Sequence, residues 1–208
     1  MKKIVFLGPP KVGKTSIRKF LFEGLPADTI LEEKDIPTIG INYSRYDYVY
    51  SYPFEKEGYT PEKIPVELAM LDTSGQELEA LLTTNTRTKV FSNADVIMFI
   101  FDVSEWEDEA RREYLMDFIT FANEARLELS PESMFYVIGH KYDILPDGVD
   151  EKEKIRLKIR SDLDNYTFQK TGKMLMLDVR VTSLRKEYRR ESFHTLLELT
   201  TDVLTPLQ

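Results

Sequence analysis

The chain has 208 residues, enough for one domain of generous size, and its apolar (42%) and charged (31%) fractions are those of an ordinary folded protein. Its net charge of −8 argues against a nucleic-acid partner held by general electrostatic attraction, so any polyanion must be bound by a local site. The absence of cysteine excludes disulfides and thiolate metal sites and indicates a reducing compartment, the cytoplasm.

The apolar segments are too short for a membrane span. Only a few apolar residues precede Gly8, and the longest run, Val96–Phe101, has the length of a strand. We therefore expect no direct membrane anchor, and contact with a membrane only through partner proteins.

Short apolar runs alternate with segments of helical periodicity along most of the chain. Runs that are apolar on both faces are typical of strands in a parallel sheet, so the alternation predicts an α/β sheet covered by helices on both faces. The predicted strands are Lys3–Leu7, Val66–Leu71, Asp95–Phe101, Met134–Ile138 and Leu175–Val181. The later helices are predicted over Ala110–Leu127, Lys152–Gln169 and Phe193–Leu204.

One segment interrupts the alternation. The tyrosine-rich run Ile41–Tyr52 is followed by Pro53–Pro65 and then by the strand at Val66, with no helix between them. We expect an antiparallel hairpin that adds one antiparallel edge strand to the sheet. The tyrosines indicate a half-exposed face or a partner patch, and the Pro-bounded tip indicates an exposed loop or a partner surface.

The segment GPPKVGKT, from Gly8 to Thr15, lies between the first strand and a helix. It matches the P-loop pattern GxxxxGK[ST], whose glycines let backbone N–H groups surround the α- and β-phosphates of a nucleotide. Lys14 supplies a positive charge to the β- and γ-phosphates, and the Thr15 hydroxyl is a ligand for Mg²⁺.

Two prolines restrict which amides of this loop can bind phosphate. Pro9 and Pro10 carry no N–H group, so the donors must come from the residues that follow them. The predicted phosphate-binding residues are Lys11, Val12, Gly13, Lys14, Thr15 and Ser16.

Two further segments are predicted to act on the γ-phosphate. In DTSGQE, which follows the strand at Val66, Asp72 is placed to hold Mg²⁺, the Gly75 amide to approach the γ-phosphate and Gln76 to orient an attacking water. Thr38, in the loop before the hairpin, is a candidate Mg²⁺ ligand that engages only while the γ-phosphate is present.

The segment His140–Asp143 indicates which base is bound. The carboxylate of Asp143 can accept hydrogen bonds from both N1–H and N2–H₂ of guanine, a pair of donors that adenine lacks, and the stem of Lys141 can lie along the base. For His140 a site role and a packing role remain open. A backbone amide of Ser183 or Leu184 is a candidate donor to guanine O6.

In this order, P-loop, Thr, DxxGQ, [N/H]KxD and TS, the chain resembles the Ras-like small GTPases, and most closely the Rag/Gtr GTPases. The closer likeness lies in GKTSIR from Gly13, in VFSNADVIMFIFDV from Val90 and in HKYD from His140. The resemblance implies a mostly parallel six-stranded sheet with one antiparallel edge strand and about five helices, a P-loop NTPase three-layer sandwich that binds GTP at the carboxyl ends of its strands.

The resemblance also implies partners. Residues 1–208 are expected to form a single G domain without the C-terminal roadblock domain of the family. A separate roadblock-type protein or a second GTPase is then the expected binding partner, together with exchange and activating proteins. The expected location is the cytoplasm, peripheral to a membrane through those partners.

The residues favour a Mg²⁺-dependent GTPase that hydrolyses GTP slowly without an activating protein and acts as a GTP/GDP switch in signalling or trafficking. One alternative is a scaffold subunit that binds GTP or GDP without hydrolysis. A third hypothesis, an ATP-using P-loop kinase, predicts a basic lid. The basic cluster Arg185–Arg190 is instead interpreted as the solvated start of the last helix.

Overall fold

The computed structural model describes residues 1–32, 41–50, 62–72, 84–146 and 151–204. The strands in these ranges are β1 (Lys2–Gly8), β2 (Ile41–Tyr50), β3 (Glu62–Asp72), β4 (Val96–Asp102), β5 (Met134–His140) and β6 (Asp178–Thr182). The helices are α1 (Lys14–Phe22), α2 (Ala27–Glu32), α3 (Thr84–Phe91), α4 (Glu109–Leu129), α5 (Lys152–Thr171) and α6 (Arg189–Leu204). Short 3₁₀ turns follow β4 at Val103–Trp106 and β5 at Tyr142–Ile144.

The six strands form one sheet in the order β2-β3-β1-β4-β5-β6. All neighbouring pairs are parallel except β2 and β3, which form the expected antiparallel hairpin at the sheet edge. The predicted mixed α/β fold is therefore confirmed. The described ranges contain six α-helices rather than about five, because the sequence gives no periodic signal for the six-residue helix α2 that follows Pro26.

The core lies on both faces of the sheet, and β1 shows why. Its side chains alternate, so that Val5 and Leu7 belong to one buried cluster with α4, while Ile4 and Phe6 belong to a second cluster with α1 and α6. All four of these side chains are 0% exposed. Each buried side chain of this size stabilises the fold by about 1.5–3 kcal/mol, which explains the continuous apolar runs of the central strands.

The largest differences from the predicted strand boundaries are at the starts of β6 and β3. β6 begins at Asp178 rather than Leu175, since Met176 adopts a positive φ of 48° and its side chain is 71% exposed. β3 begins at Glu62, so part of the predicted hairpin tip is strand, including Pro65 opposite Asp47. Pro65 is tolerated because β1 pairs with β3 only from Val66 onward. Residues 51–61 of the tip lie outside the described residues.

The tyrosines of β2 contribute to two faces of the hairpin. Tyr43 is 46% exposed. Tyr46 stacks on Phe22 of α1 with ring centroids 5.2 Å apart, and Arg18 donates to its hydroxyl at 2.8 Å. These two residues agree with the half-exposed interpretation. None of the described helices combines the length and the apolarity that crossing a bilayer requires.

Candidate nucleotide-binding site

Polar residues and one glycine form a row along the carboxyl ends of the parallel strands. Gly8, at the end of β1, pairs with Asp72 at the end of β3. Asp102, His140 and Thr182 are cross-strand partners at the ends of β4, β5 and β6. Because open α/β sheets bind ligands just beyond these ends, the strand register brings the predicted site segments to the expected place.

The loop that follows β1 has the backbone shape of a phosphate cradle. Lys11 and Gly13 adopt positive φ angles of 63° and 102°, conformations that turn N–H groups toward the inside of a loop. Gly8, at φ 140°, has a steric reason to be glycine as well: a Cβ atom there would lie 1.8 Å from the carbonyl oxygen of Ile100. The side chain of Val12 is 1% exposed and anchors the loop in the core.

Lys14 begins helix α1 and folds back over the loop. Its side chain is buried, and Nζ donates to the carbonyl oxygens of Gly8 at 2.7 Å and of Pro9 at 2.6 Å. Helix α1 has no acidic residue in its first turn and no side-chain cap at Gly13. The positive end of the helix dipole therefore faces the loop without a carboxylate in that turn to balance it, an arrangement that favours an anion. Thr15 and Ser16 lie in the same turn, and both are partly buried.

His140 lies at the contact between this loop and β6. Its ring is 3% exposed, and Nδ1 lies 2.9 Å from the hydroxyl oxygen of Thr182. The opposite side of the ring abuts Gly13. Burial, helped by the charge of Lys141, lowers the pKa of His140 to about 4 despite opposing carboxylates. The burial of His140 and its contacts agree with the packing interpretation, and a role in nucleotide binding stays a prediction.

Lys141 joins three segments. Its backbone has a positive φ of 63°, and its Nζ donates to the carbonyl oxygen of Lys11 at 2.9 Å and to Oδ2 of Asp102 at 3.0 Å. The P-loop, the end of β4 and the turn after β5 are thus held together by one ammonium group.

Asp102 lies beside the candidate site residues, and the sequence analysis did not single it out. Burial alone would raise the pKa of Asp102, but hydrogen bonds from Ser104 and Lys141 outweigh it and hold the pKa below its ordinary value. The hydroxyl of Ser104 donates to Oδ1 at 2.7 Å, and its amide donates to the same oxygen at 3.0 Å. The available signal was its position, because Asp102 follows an apolar strand as Asp72 does.

The predicted base-binding carboxylate, Asp143, has an unexpected neighbour. Its side chain is only 5% exposed, and Nε of Arg185 lies 2.7 Å from its Oδ2. Arg185 belongs to the basic cluster that the sequence analysis interpreted as a solvated helix start, and its side chain is indeed 61% exposed. The pairing brings this arginine to the candidate site as well.

The segment after β6 contains Ser183 and Leu184, the two candidate donors to guanine O6. The amide of Ser183 donates to the hydroxyl of Ser192 at 2.8 Å, and the hydroxyl of Ser183 accepts from the amide of Arg185 at 3.1 Å. With the Ser183 amide engaged, Leu184 is the better candidate for the predicted donor to guanine O6. Both residues are buried, at 0% and 3% exposure.

The structure describes the remaining predicted residues only in part. Thr38, Gly75 and Gln76 lie outside the described residues, and of Asp72 the backbone alone is described. Among the described side chains, no group of three or more His, Asp or Glu is arranged to hold a metal. The predicted Mg²⁺ ligands fit that ion by chemistry, since they offer hydroxyl and carboxylate oxygens. The pairing of Gly8 with Asp72 also brings one of them beside the P-loop.

Comparison with known proteins agrees with this geometry. The chain is similar to Ras-related GTP-binding protein B of Rattus norvegicus and of Mus musculus, at 28% identity over 177 residues in each case, covering 78% of this chain and 45% of theirs. It is also similar to Ras-related GTP-binding protein A of Dictyostelium discoideum, at 25% identity over 150 residues, 70% of this chain and 42% of the relative. The chain thus spans less than half the length of the curated relatives it matches. Residues 3–188 match the Gtr1/RagA G protein conserved region, and the chain belongs to that family of G proteins.

Proposed function

We propose that the protein is a Mg²⁺-dependent GTPase that switches between GTP-bound and GDP-bound forms. The observation that carries the proposal is the contact between the phosphate loop and the base-recognition turn, in which Lys141 Nζ donates to the carbonyl oxygen of Lys11. A nucleotide has its base and its phosphates at opposite ends, and this contact fixes the two corresponding segments relative to each other.

The phosphates would bind at the loop between β1 and α1. The amides of Lys11, Val12 and Gly13 would surround the α- and β-phosphates, and the N-terminus of α1 with Thr15 and Ser16 would face them. Lys14 would exchange its contacts with the loop carbonyls for contacts with the β- and γ-phosphate oxygens. Hydrogen bonds from the ammonium group to these charged oxygens are stronger than those to neutral carbonyls.

The base would bind between the turn after β5 and the segment after β6. Asp143 accepts from two neighbouring donors, which guanine presents and adenine does not. A site of this kind can discriminate by as much as ~10⁴-fold, because adenine cannot supply the two donors that guanine offers to the carboxylate. The amide of Leu184 would donate to guanine O6.

Hydrolysis would be an in-line attack of water on the γ-phosphorus, breaking its bond to the bridging oxygen and releasing GDP and phosphate. Gln76 would orient the water, the Gly75 amide would contact the γ-phosphate, and Lys14 would stabilise the charge on the transferring group. Mg²⁺, when bound, neutralises charge on the β- and γ-oxygens. Its proposed ligands are Thr15, Thr38 and Asp72.

A non-hydrolysing scaffold is the second candidate. The observation that favours it is the pair Pro9 and Pro10, which removes two N–H groups from the phosphate loop. The presence of Gln76 and Thr38 favours the GTPase instead, since a scaffold needs neither residue.

The two candidates separate in one experiment. The purified protein is loaded with GTP and Mg²⁺, excess nucleotide is removed, and the bound nucleotide is identified by chromatography over time. We expect slow conversion to GDP, near ~10⁻⁴ s⁻¹ without an activating protein. The variant Gln76→Leu should bind GTP as well as the parent does but convert it more slowly. Stable GTP in the parent would support the scaffold, and displacement of GTP by ATP would support the kinase.

Partners follow from the same proposal. A switch requires exchange and activating proteins, and the family resemblance adds a roadblock-type protein or a second GTPase as a binding partner. The proposed location is the cytoplasm, at a membrane surface only through such partners. Light scattering of the protein mixed with a roadblock-type protein, in GTP and in GDP, tests the partner directly.

A further inference from the structure

The ion pair between Arg185 and Asp143 joins a buried acceptor to an exposed cation. The Asp143 side chain is 5% exposed, whereas that of Arg185 is 61% exposed, and Nε lies 2.7 Å from Oδ2. Breaking the pair would return Arg185 to water at little cost, because most of its side chain is already solvated. Asp143 would be left as a buried carboxylate that needs another donor.

Guanine can supply that donor, but it needs both carboxylate oxygens. Its N1–H and N2–H₂ groups lie side by side, and each must meet one oxygen of Asp143 for the bidentate contact to form. One of these oxygens already has Arg185 within contact distance. The arginine and the base therefore require the same carboxylate oxygen of Asp143 as their acceptor.

We propose that Arg185 competes with the guanine base for Asp143 and thereby weakens nucleotide binding and speeds release. This inference rests on the proposed guanine site. When the nucleotide binds, the guanidinium leaves Oδ2 and N2–H₂ takes its place, without any covalent step. Arg185 thereby lowers the affinity of the site for guanine nucleotides.

The position of Arg185 suits this competition. Its amide donates to the hydroxyl of Ser183, which is 0% exposed, so the backbone is fixed beside the base-binding segment while the side chain reaches outward. Arg189, four residues later, offers a matched control. It pairs with Asp28 at 2.8 Å, on the surface, and among the described residues it touches none of the proposed nucleotide ligands.

Inosine diphosphate distinguishes competition from a general charge effect. Its base, hypoxanthine, has N1–H but lacks the N2 amino group, so it needs only one carboxylate oxygen and can use Oδ1 while Arg185 stays on Oδ2. Removing Arg185 should therefore raise the affinity for GDP much more than the affinity for IDP. A loss of positive charge near the phosphates would instead change both ligands equally.

The test measures equilibrium binding of GDP and IDP, with Mg²⁺, to the parent protein, to Arg185→Ala and to Arg189→Ala. Competition predicts that Arg185→Ala tightens GDP by about fivefold, the change that corresponds to ~1 kcal/mol for a partly exposed ion pair. It should change IDP by less than about twofold, and Arg189→Ala should change neither. GDP dissociation should slow by a similar factor in Arg185→Ala alone.

Three results would overturn the proposal. Weaker GDP binding in Arg185→Ala would mean that the arginine positions Asp143 for the base. Unchanged GDP binding would mean that the pair does not compete, and equal tightening of GDP and IDP would mean a general electrostatic effect. A parent protein that binds neither GDP nor GTP would instead overturn the proposed function, so the two failures are distinguishable.

Discussion

The imidazole of His140 lies so close to Gly13 that a Cβ atom on the glycine would come within 2.7 Å of ring Cδ2. The ring cannot easily retreat, since its other side contacts Thr182 and it is almost fully buried. The P-loop is thus shaped by a side chain from β5 as well as by its own glycines.

Gly13→Ala should destabilise the protein by about 2–4 kcal/mol, because the methyl group both clashes with the ring and is strained at φ 102°. The control is Gly24→Ala, at φ 65° with no atom within 4 Å of the added Cβ, which should cost only about 1–2 kcal/mol. Urea unfolding of both variants measures the difference. Equal losses would show that His140 does not constrain the loop.

Acid should destabilise the folded protein through His140. Burial lowers its pKa from 6.5 to about 4, so as the pH falls below 6.5 the unfolded chain gains a proton that the folded protein does not. The stability is fully present above pH 6.5 and declines as the pH falls toward 4, by up to about 3 kcal/mol. His140→Asn can keep a hydrogen bond to Thr182 but does not titrate.

Unfolding free energies at about pH 7 and about pH 4.5 check this prediction. The parent should lose more stability between the two conditions than His140→Asn does. Groups that do not interact with residue 140 contribute equally in both proteins, so the difference between the two pH profiles reports the histidine. Parallel pH profiles would mean that His140 gains its proton as easily in the folded protein as in the unfolded chain.

Asp143→Asn should change the preferred base. An amide offers one donor and one acceptor, which match the N1–H and C2=O groups of xanthine but leave one guanine donor facing an NH₂ group. We expect GDP affinity to fall by at least about tenfold and XDP to bind better than GDP. Competition between the two diphosphates measures the preference. A variant that still prefers GDP would show that Asp143 does not contact the base.

Asp102→Asn should weaken nucleotide binding although Asp102 contacts no ligand in the proposed site. The substitution removes the charge that holds Lys141 Nζ at 3.0 Å, and with it the fixed contact of that lysine to Lys11. We expect GDP affinity to fall by about five- to tenfold.

The matched control is Asp95→Asn. Asp95 accepts from Lys2 Nζ at 3.0 Å and from the Lys3 amide at 2.7 Å, just before β4 begins, at the opposite end from Asp102. Asp95→Asn should lower the free energy of unfolding without changing the affinity for GDP. Titration calorimetry measures that affinity. Equal effects of the two substitutions on affinity would show that Asp102 acts only through stability.

Much of the fold could be predicted because the central strands are buried on both faces and therefore leave continuous apolar runs. The hairpin was predictable from a missing helix. The start of β6 was not, since Leu175 and Met176 are apolar residues that the chain leaves outside the sheet. The start of β3 was obscured by Pro65, whose tolerance depends on where β1 begins to pair.

In the candidate site, too, some residues were predictable from the sequence and others were not. The placement of Gly13 and Lys14 in the turn between β1 and α1 was predictable, because it depends on their immediate neighbours along the chain. Arg185 was not, since its contact with Asp143 joins segments that are far apart in sequence. Basic residues at the start of a helix are usually solvated, and only the fold shows that this one reaches a buried carboxylate.

The candidate site residues form a row across the sheet, in the order of the strands. From Asp72 on β3 to Thr182 on β6 the row crosses four strand spacings of about 4.8 Å, or ~19 Å. In the proposed site the base lies at the β5 and β6 end, and the third phosphate at the end of β3. GTP and GDP would then differ beside the strand that pairs with β2. The hairpin at the sheet edge would therefore lie next to the atoms that hydrolysis removes.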